Sequence, residues 1–129
     1  MTQDKKRTYK RRTADNITAA STEMGNVPPQ AIDIEEAVLG AMMVNTDSVD
    51  QVMDLLKPDS FYDIKNRSIF EAICELFTER SPIDMLTVVE KMKQKGTLTD
   101  VGGPARLASL TQKVGTGANV EYYVRILQQ

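Results

Sequence analysis

FYDIKNRSIFEAICELF, running from Phe61 to Phe77, decides the fold class. It holds all three phenylalanines of the chain, one of four tyrosines and the single cysteine. At about 100° per residue, Ile69, Phe70, Ile73, Cys74, Leu76 and Phe77 share one arc about 160° wide. Glu71, Glu75, Thr78 and Glu79 fall on the other side. So broad an apolar arc predicts a helix packed against several neighbours. Asp63 is its expected N-cap. Asn66 lies in the middle of the arc, where an unsatisfied amide costs about 1–3 kcal/mol. Two destinations for it stay open: a backbone group in the first turn, or an interface between domains or subunits.

Upstream, Val27-Pro28-Pro29-Gln30 is an extended lead-in. AIDIEEAVLGAMMVN reads as a first helix, with Asp33 as N-cap and Glu35 and Glu36 in its first turn. The pairs Glu35/Glu36 and Glu71/Glu75 fit solvated faces. Val49, Val52, Met53 and Leu56 give a second helix capped by Thr46 or Asp47 and stopped by Lys57-Pro58.

Downstream, Glu79-Arg80-Ser81-Pro82 ends the central helix. Asp84 caps a fourth, whose stripe is Met85, Val88, Val89 and Met92, with Gly96 closing it. Gly102-Gly103-Pro104 turns into a fifth helix carrying Leu107, Leu110, Thr111 and Val114. Asn119 or Gly117 caps a last one, VEYYVRILQQ. Val120, Tyr123, Val124 and Leu127 form one apolar stripe on it, and Tyr122 and Ile126 a second on the opposite side. The sequence stops at Gln129 without a stop signal, so the expectation is a longer protein whose next segment covers the second stripe. No long period-2 alternation occurs. The expected architecture is all-α, a compact bundle of about six short helices.

The 129 residues suffice for one modest core. Net charge is −2, so the chain as a whole does not attract nucleic acid or anionic membrane. The charge is uneven: residues 1–26 carry six Lys/Arg against three Asp/Glu. This polar, Thr-rich segment buries too little to offset its ordering entropy and is expected to be a disordered basic tail. Lys5, Lys6, Arg7, Lys10, Arg11 and Arg12 are its candidate phosphate contacts. Cys74 cannot form an internal disulfide and sits on the apolar arc, as a buried thiol in a reducing compartment would. No apolar run is long enough to span a membrane, and no secretory signal stands at the N-terminus. The expected location is cytoplasmic.

Chemistry is sparse. There is no histidine, one cysteine cannot build a zinc site, and GxxxxGK[ST] does not occur. Gly102-Gly103 precedes a helix but has no Lys or Arg cluster beside it, which makes a weak anion site. The residues argue for a small helical interaction domain rather than an enzyme, with no catalytic, cofactor or metal residues. The alternative reading is a helical nucleic-acid-binding module acting through the basic tail.

Four segments in order and at matching spacing carry a resemblance. They are PPQAIDIEEAVLGAMM (28–43), DSFYDIKNRSIFEAICELF (59–77), PIDMLTVVEKMKQKGTLTDVGG (82–103) and NVEYYVRILQQ (119–129). Together they resemble the N-terminal domain of the bacterial replicative DNA helicase family, DnaB. With residues 1–27 set aside as the disordered basic tail read from composition, the resemblance implies a helical head at 28–117 and, at 118–129, the start of the first arm of a helical hairpin, cut short. It implies a parent ring hexamer that unwinds DNA using ATP and Mg2+ in a C-terminal domain absent from this chain. It also implies a collar role, with partners that include other copies, a DnaG-type primase and in some systems a loader. Tyr122, Tyr123, Ile126 and Asn66 become interaction candidates. The family often has His where this chain has Asn66, which weakens any role that needs an imidazole there. Nothing about the longer basic tail follows from the resemblance.

Overall fold

The computed structural model describes residues 29–113 and 119–128, with side chains from Ala31 onward. Six α-helices follow one another: α1 Pro29–Val44, α2 Thr46–Leu55, α3 Ile64–Thr78, α4 Met85–Lys95, α5 Gly103–Gln112 and α6 Val120–Gln128. Single 3-10 turns stand at Pro58–Ser60 and Thr99–Val101, and no strand occurs among the described residues. The expected all-α bundle is what forms. Ile32–Gln129 makes one compact unit. Of the other unit, Met1–Ala31, only Pro29–Ala31 are described, as the first residues of α1.

The centre is where the Phe61–Phe77 pattern puts it. Ile69, Phe70 and Ile73 of α3 are fully buried, and Phe61 packs its ring 4.6 Å from that of Phe70. Burying each such side chain contributes about 1.5–3 kcal/mol. Val38, Leu39 and Met42 of α1, Val49 and Val52 of α2, Val88 and Met92 of α4, Leu107 and Leu110 of α5, and Val124 of α6 join them in the core. Helix α3 packs on α4, α4 on α5, and α2 on α6. Lys91 bridges to Glu79 at 2.7 Å and Lys95 to Glu75, joining α3 and α4 along their rim. Such part-exposed pairs are worth about 0–1 kcal/mol each.

The caps follow the sequence closely at three helix ends. Asp63 takes the N–H groups of Lys65 at 2.8 Å and Asn66 at 3.1 Å. Asp84 and Thr87 form a reciprocal capping box at the start of α4. Gly96 closes α4 in the left-handed conformation, φ 76°.

Elsewhere the structure corrects the reading. Helix α1 begins at Pro29, one turn before Asp33, because proline is well accommodated in a first turn. Asp33 is therefore an exposed mid-helix residue and not the cap. Helix α2 is capped by Asn45, whose Oδ1 accepts from Asp47 N–H at 3.0 Å, rather than by Thr46 or Asp47. Phe77 is 39% exposed, because the last turn of α3 runs past the core. Cys74, at the edge of the arc, is half-buried rather than buried. Glu35 and Glu36 do not lie on a solvated face: Glu35 is 1% exposed.

Candidate functional site

The main polar feature of the bundle is a chain of hydrogen bonds running from α1 through α3 to α5. Glu35, on α1, points into the core beside the N-terminus of α3. Its Oε2 accepts the Tyr62 N–H at 2.6 Å. Its Oε1 accepts the Asp63 N–H at 3.3 Å and the Asn66 side-chain amide at 3.0 Å. Burial pushes this carboxyl above its usual range, and the Asn66, Tyr62 and Asp63 donors pull the other way.

Asn66 is fully buried on α3, and both ends of its amide are used. Its Nδ2 donates to Glu35, and its Oδ1 accepts from Arg106 Nη2 at 2.8 Å. No backbone group in the first turn takes up the side chain. Glu35 and Arg106, on two other helices of the bundle, do. The same Arg106 nitrogen donates to Glu36 Oε2 at 2.9 Å. Glu36 Oε1 lies 2.7 Å from Lys113 Nζ, at the end of α5, and Asp33 stands 3.6 Å from the same ammonium. Gly102 makes room for this arrangement. Its φ is 109°, and a Cβ there would meet Arg106 Cβ at 2.9 Å.

The network ties three helices together. Its carboxylates face donors, with no nucleophile between them. Cys74 lies apart from it, and burial together with Glu71 and Glu75 pushes its thiol up to about 11. That is the opposite of an activated thiolate. No group of His, Cys, Asp and Glu able to hold a metal ion occurs among the described residues. Nor is any described helix long and apolar enough to cross a membrane.

The second feature is α6. Val120 and Val124 are buried, and Tyr123 and Leu127 pack half-buried against the core. Tyr122, on the other side, is 60% exposed, while Ile126 is half-buried. Tyr122 and Tyr123 place their rings 6.0 Å apart. Arg125 pairs with Glu121 at 2.9 Å one turn away on the exposed face. Lys5, Lys6, Arg7, Lys10, Arg11 and Arg12 lie outside the described residues, as do Val114 and Gly117.

The family model for the DnaB-like helicase N terminal domain matches residues 27–129. The chain belongs to that family. Over 119 residues it is 40% identical to the replicative DNA helicase DnaB of Rhodothermus marinus, covering 92% of this chain and 13% of the relative. Over 103 residues it is 35% identical to the replicative DNA helicase DnaB of Geobacillus stearothermophilus, covering 80% and 23%. The fold is similar to the crystal structure of the N-terminal domain of DnaB helicase from Mycobacterium tuberculosis. The TM-score is 0.74 at 33% identity, over 79% of this chain and 71% of that one. The chain thus spans about a quarter or less of the length of the curated relatives it matches.

Within this DnaB-type domain, sequence reasoning found Asn66 but missed its partners. Glu35 was legible: at about 100° per residue it falls between Val38 and Leu39, at the heart of the buried face of α1. Starting the helix at Asp33 put Glu35 in a solvated first turn and hid it, whereas the helix begins at Pro29. Arg106 and Lys113 carry no local signal, because their partners lie 40 and more residues away, on α3 and α1.

Proposed function

We propose that this chain is the N-terminal collar domain of a replicative DNA helicase, an assembly and docking module without catalysis of its own. The observation that carries the reading is the family match over residues 27–129 together with relatives named as replicative DNA helicases. The layout of the head supports it. Buried polar groups are spent holding helices together, while α6 keeps an aromatic residue exposed on its outer side. In this reading residues 28–117 form the head and 118–129 begin a hairpin helix. Tyr122 and Ile126 meet either the returning arm or another copy.

The parent protein is then an ATP- and Mg2+-dependent DNA helicase, hexameric and cytoplasmic. The residues here do not fit a nucleotide site: the phosphate-cradling motif does not occur in the sequence. The nucleotide therefore belongs to a motor domain elsewhere in the parent. The partners of the collar are other copies of the chain, a DnaG-type primase and, in systems that use one, a helicase loader.

The test is a pair of titrations on the chain with and without residues 1–26, one with a DnaG-type primase and one with single-stranded DNA. Saturable primase binding that survives removal of the tail supports the reading. Tight DNA binding by the tail-less chain at physiological salt, with no primase binding, would replace it with a nucleic-acid-binding module. Steep salt dependence would accompany that outcome.

A further inference from the structure

Helices α3 and α4 end in the same turn with different residues. At the end of α4 the Gly96 N–H donates to the Lys93 carbonyl at 3.1 Å, and the Thr97 N–H to the Met92 carbonyl at 2.9 Å. At the end of α3 the Arg80 N–H donates to the Phe77 carbonyl at 3.0 Å, and the Ser81 N–H to the Leu76 carbonyl at 2.9 Å. Both turn residues are left-handed, with φ 76° at Gly96 and φ 60° at Arg80. Glycine adopts that conformation without steric cost, whereas a Cβ is crowded in it. Among the described residues Arg80 is the one non-glycine with positive φ. The turn itself has no use for an arginine, so the use lies in its side chain. Arg80 lines an open depression of about 510 Å³ together with Phe77, Thr78 and Ser81. Leu86, in the first turn of α4 just past the 79–84 connection, is 72% exposed at the same tip of the α3–α4 pair. The nearby carboxylates are taken: Glu79 pairs with Lys91, Glu75 with Lys95, and Asp84 accepts the Thr87 N–H. Arg80 forms no ion pair with a described residue.

We propose that this tip is a docking site for a peptide segment of a partner protein that carries an aromatic or aliphatic side chain next to a carboxylate. The apolar side chain packs on Phe77 and Leu86, and the carboxylate sits on the Arg80 guanidinium. The planar fork of an arginine takes a single carboxylate through two parallel hydrogen bonds. Nucleic acid fits the tip poorly. A phosphate chain is held by several cations, and here one unpaired cation stands among carboxylates. The apolar share of the surface, Phe77 and Leu86, would also go unused. The site is independent of the collar reading, because it is measured on the isolated chain with synthetic peptides.

The experiment is fluorescence anisotropy on the 129-residue chain with labelled peptides in which Asp alternates with Phe or Leu. The controls are the same peptides with Lys for Asp, and a single-stranded oligonucleotide. Expected is saturable binding of the acidic peptides alone. Arg80→Gly should weaken it about tenfold or more. The same variant should shift the unfolding equilibrium about fivefold toward the folded state in urea melts, so lost binding cannot be lost folding. Leu86→Ser, at an exposed position, should weaken binding with stability unchanged. No saturable binding, equal binding of the lysine peptides, or tighter binding of the oligonucleotide overturns the proposal. So does wild-type affinity in Arg80→Gly, or a loss of stability there. Dimerisation of the chain that Leu86→Ser abolishes would give the tip to a second copy and overturn the peptide site.

Discussion

Asn66 and Glu35, 31 residues apart in sequence, meet in the core through a 3.0 Å hydrogen bond from amide to carboxylate. The bond joins α1 to the first turn of α3. Because Arg106 occupies the other end of the amide, Asn66 is consumed inside the head.

Asn66→Asp tests the polarity of that junction. It replaces the donor facing Glu35 with a second carboxylate in the same buried space. The loss should be at least about 2 kcal/mol at neutral pH, a fall in Tm of roughly 10 °C for a domain of this size. Stability relative to wild type should recover on acidification, as the two carboxyls come to share a proton. Urea melts at neutral and acid pH read both effects.

Glu35→Gln asks what the buried charge costs. Gln keeps one acceptor and turns an N–H toward the Tyr62 amide, so about 1–3 kcal/mol is lost. The pH dependence runs against the usual carboxylate. The folded-state value lies above 4.5, so the native head binds this proton more tightly than the unfolded chain does. The contribution is fully present below 4.5 and is lost as pH rises through the folded value. The advantage of the wild type over Glu35→Gln should therefore shrink as pH rises above 4.5. Paired thermal melts across that range measure it.

Gly102→Ala strains the turn before α5 twice over, through φ 109° and through the 2.9 Å approach to Arg106 Cβ. The near atom is the root of the Arg106 side chain, which cannot swing away as a flexible tip would. The expected cost is about 1–3 kcal/mol by chemical denaturation. Gly96→Ala, left-handed but with open space around it, should cost less.

The two faces of α6 should separate cleanly. Val124→Ala removes a fully buried side chain and should cost about 1–3 kcal/mol. Tyr122→Ser acts on an exposed one and should stay within about 0.5 kcal/mol. Circular-dichroism melts of both variants decide the matter.

Local and periodic features were readable in advance. The helix count, the Asp63 and Asp84 caps and the Phe70 centre all depend on neighbours within a few residues. The α1 start and the Asn45 cap slipped by about a turn or less, because Pro29 and Asn45 compete well for roles given to Asp33 and Thr46. The wheel placed Asn66 in the core but could not name Arg106, whose proximity depends on three helices folding first. Phe77 shows the converse limit, for a perfect period does not reveal where the neighbouring helices end.

The claim that Asn66 is bound up within the head is tested most directly by a double-mutant cycle between Asn66→Ala and Arg106→Ala, read by urea unfolding. Hydrogen-bonded neighbours in one network should couple by about 1 kcal/mol or more. Additivity within about 0.3–0.5 kcal/mol would mean the two side chains do not meet in solution and that Asn66 is free for a partner.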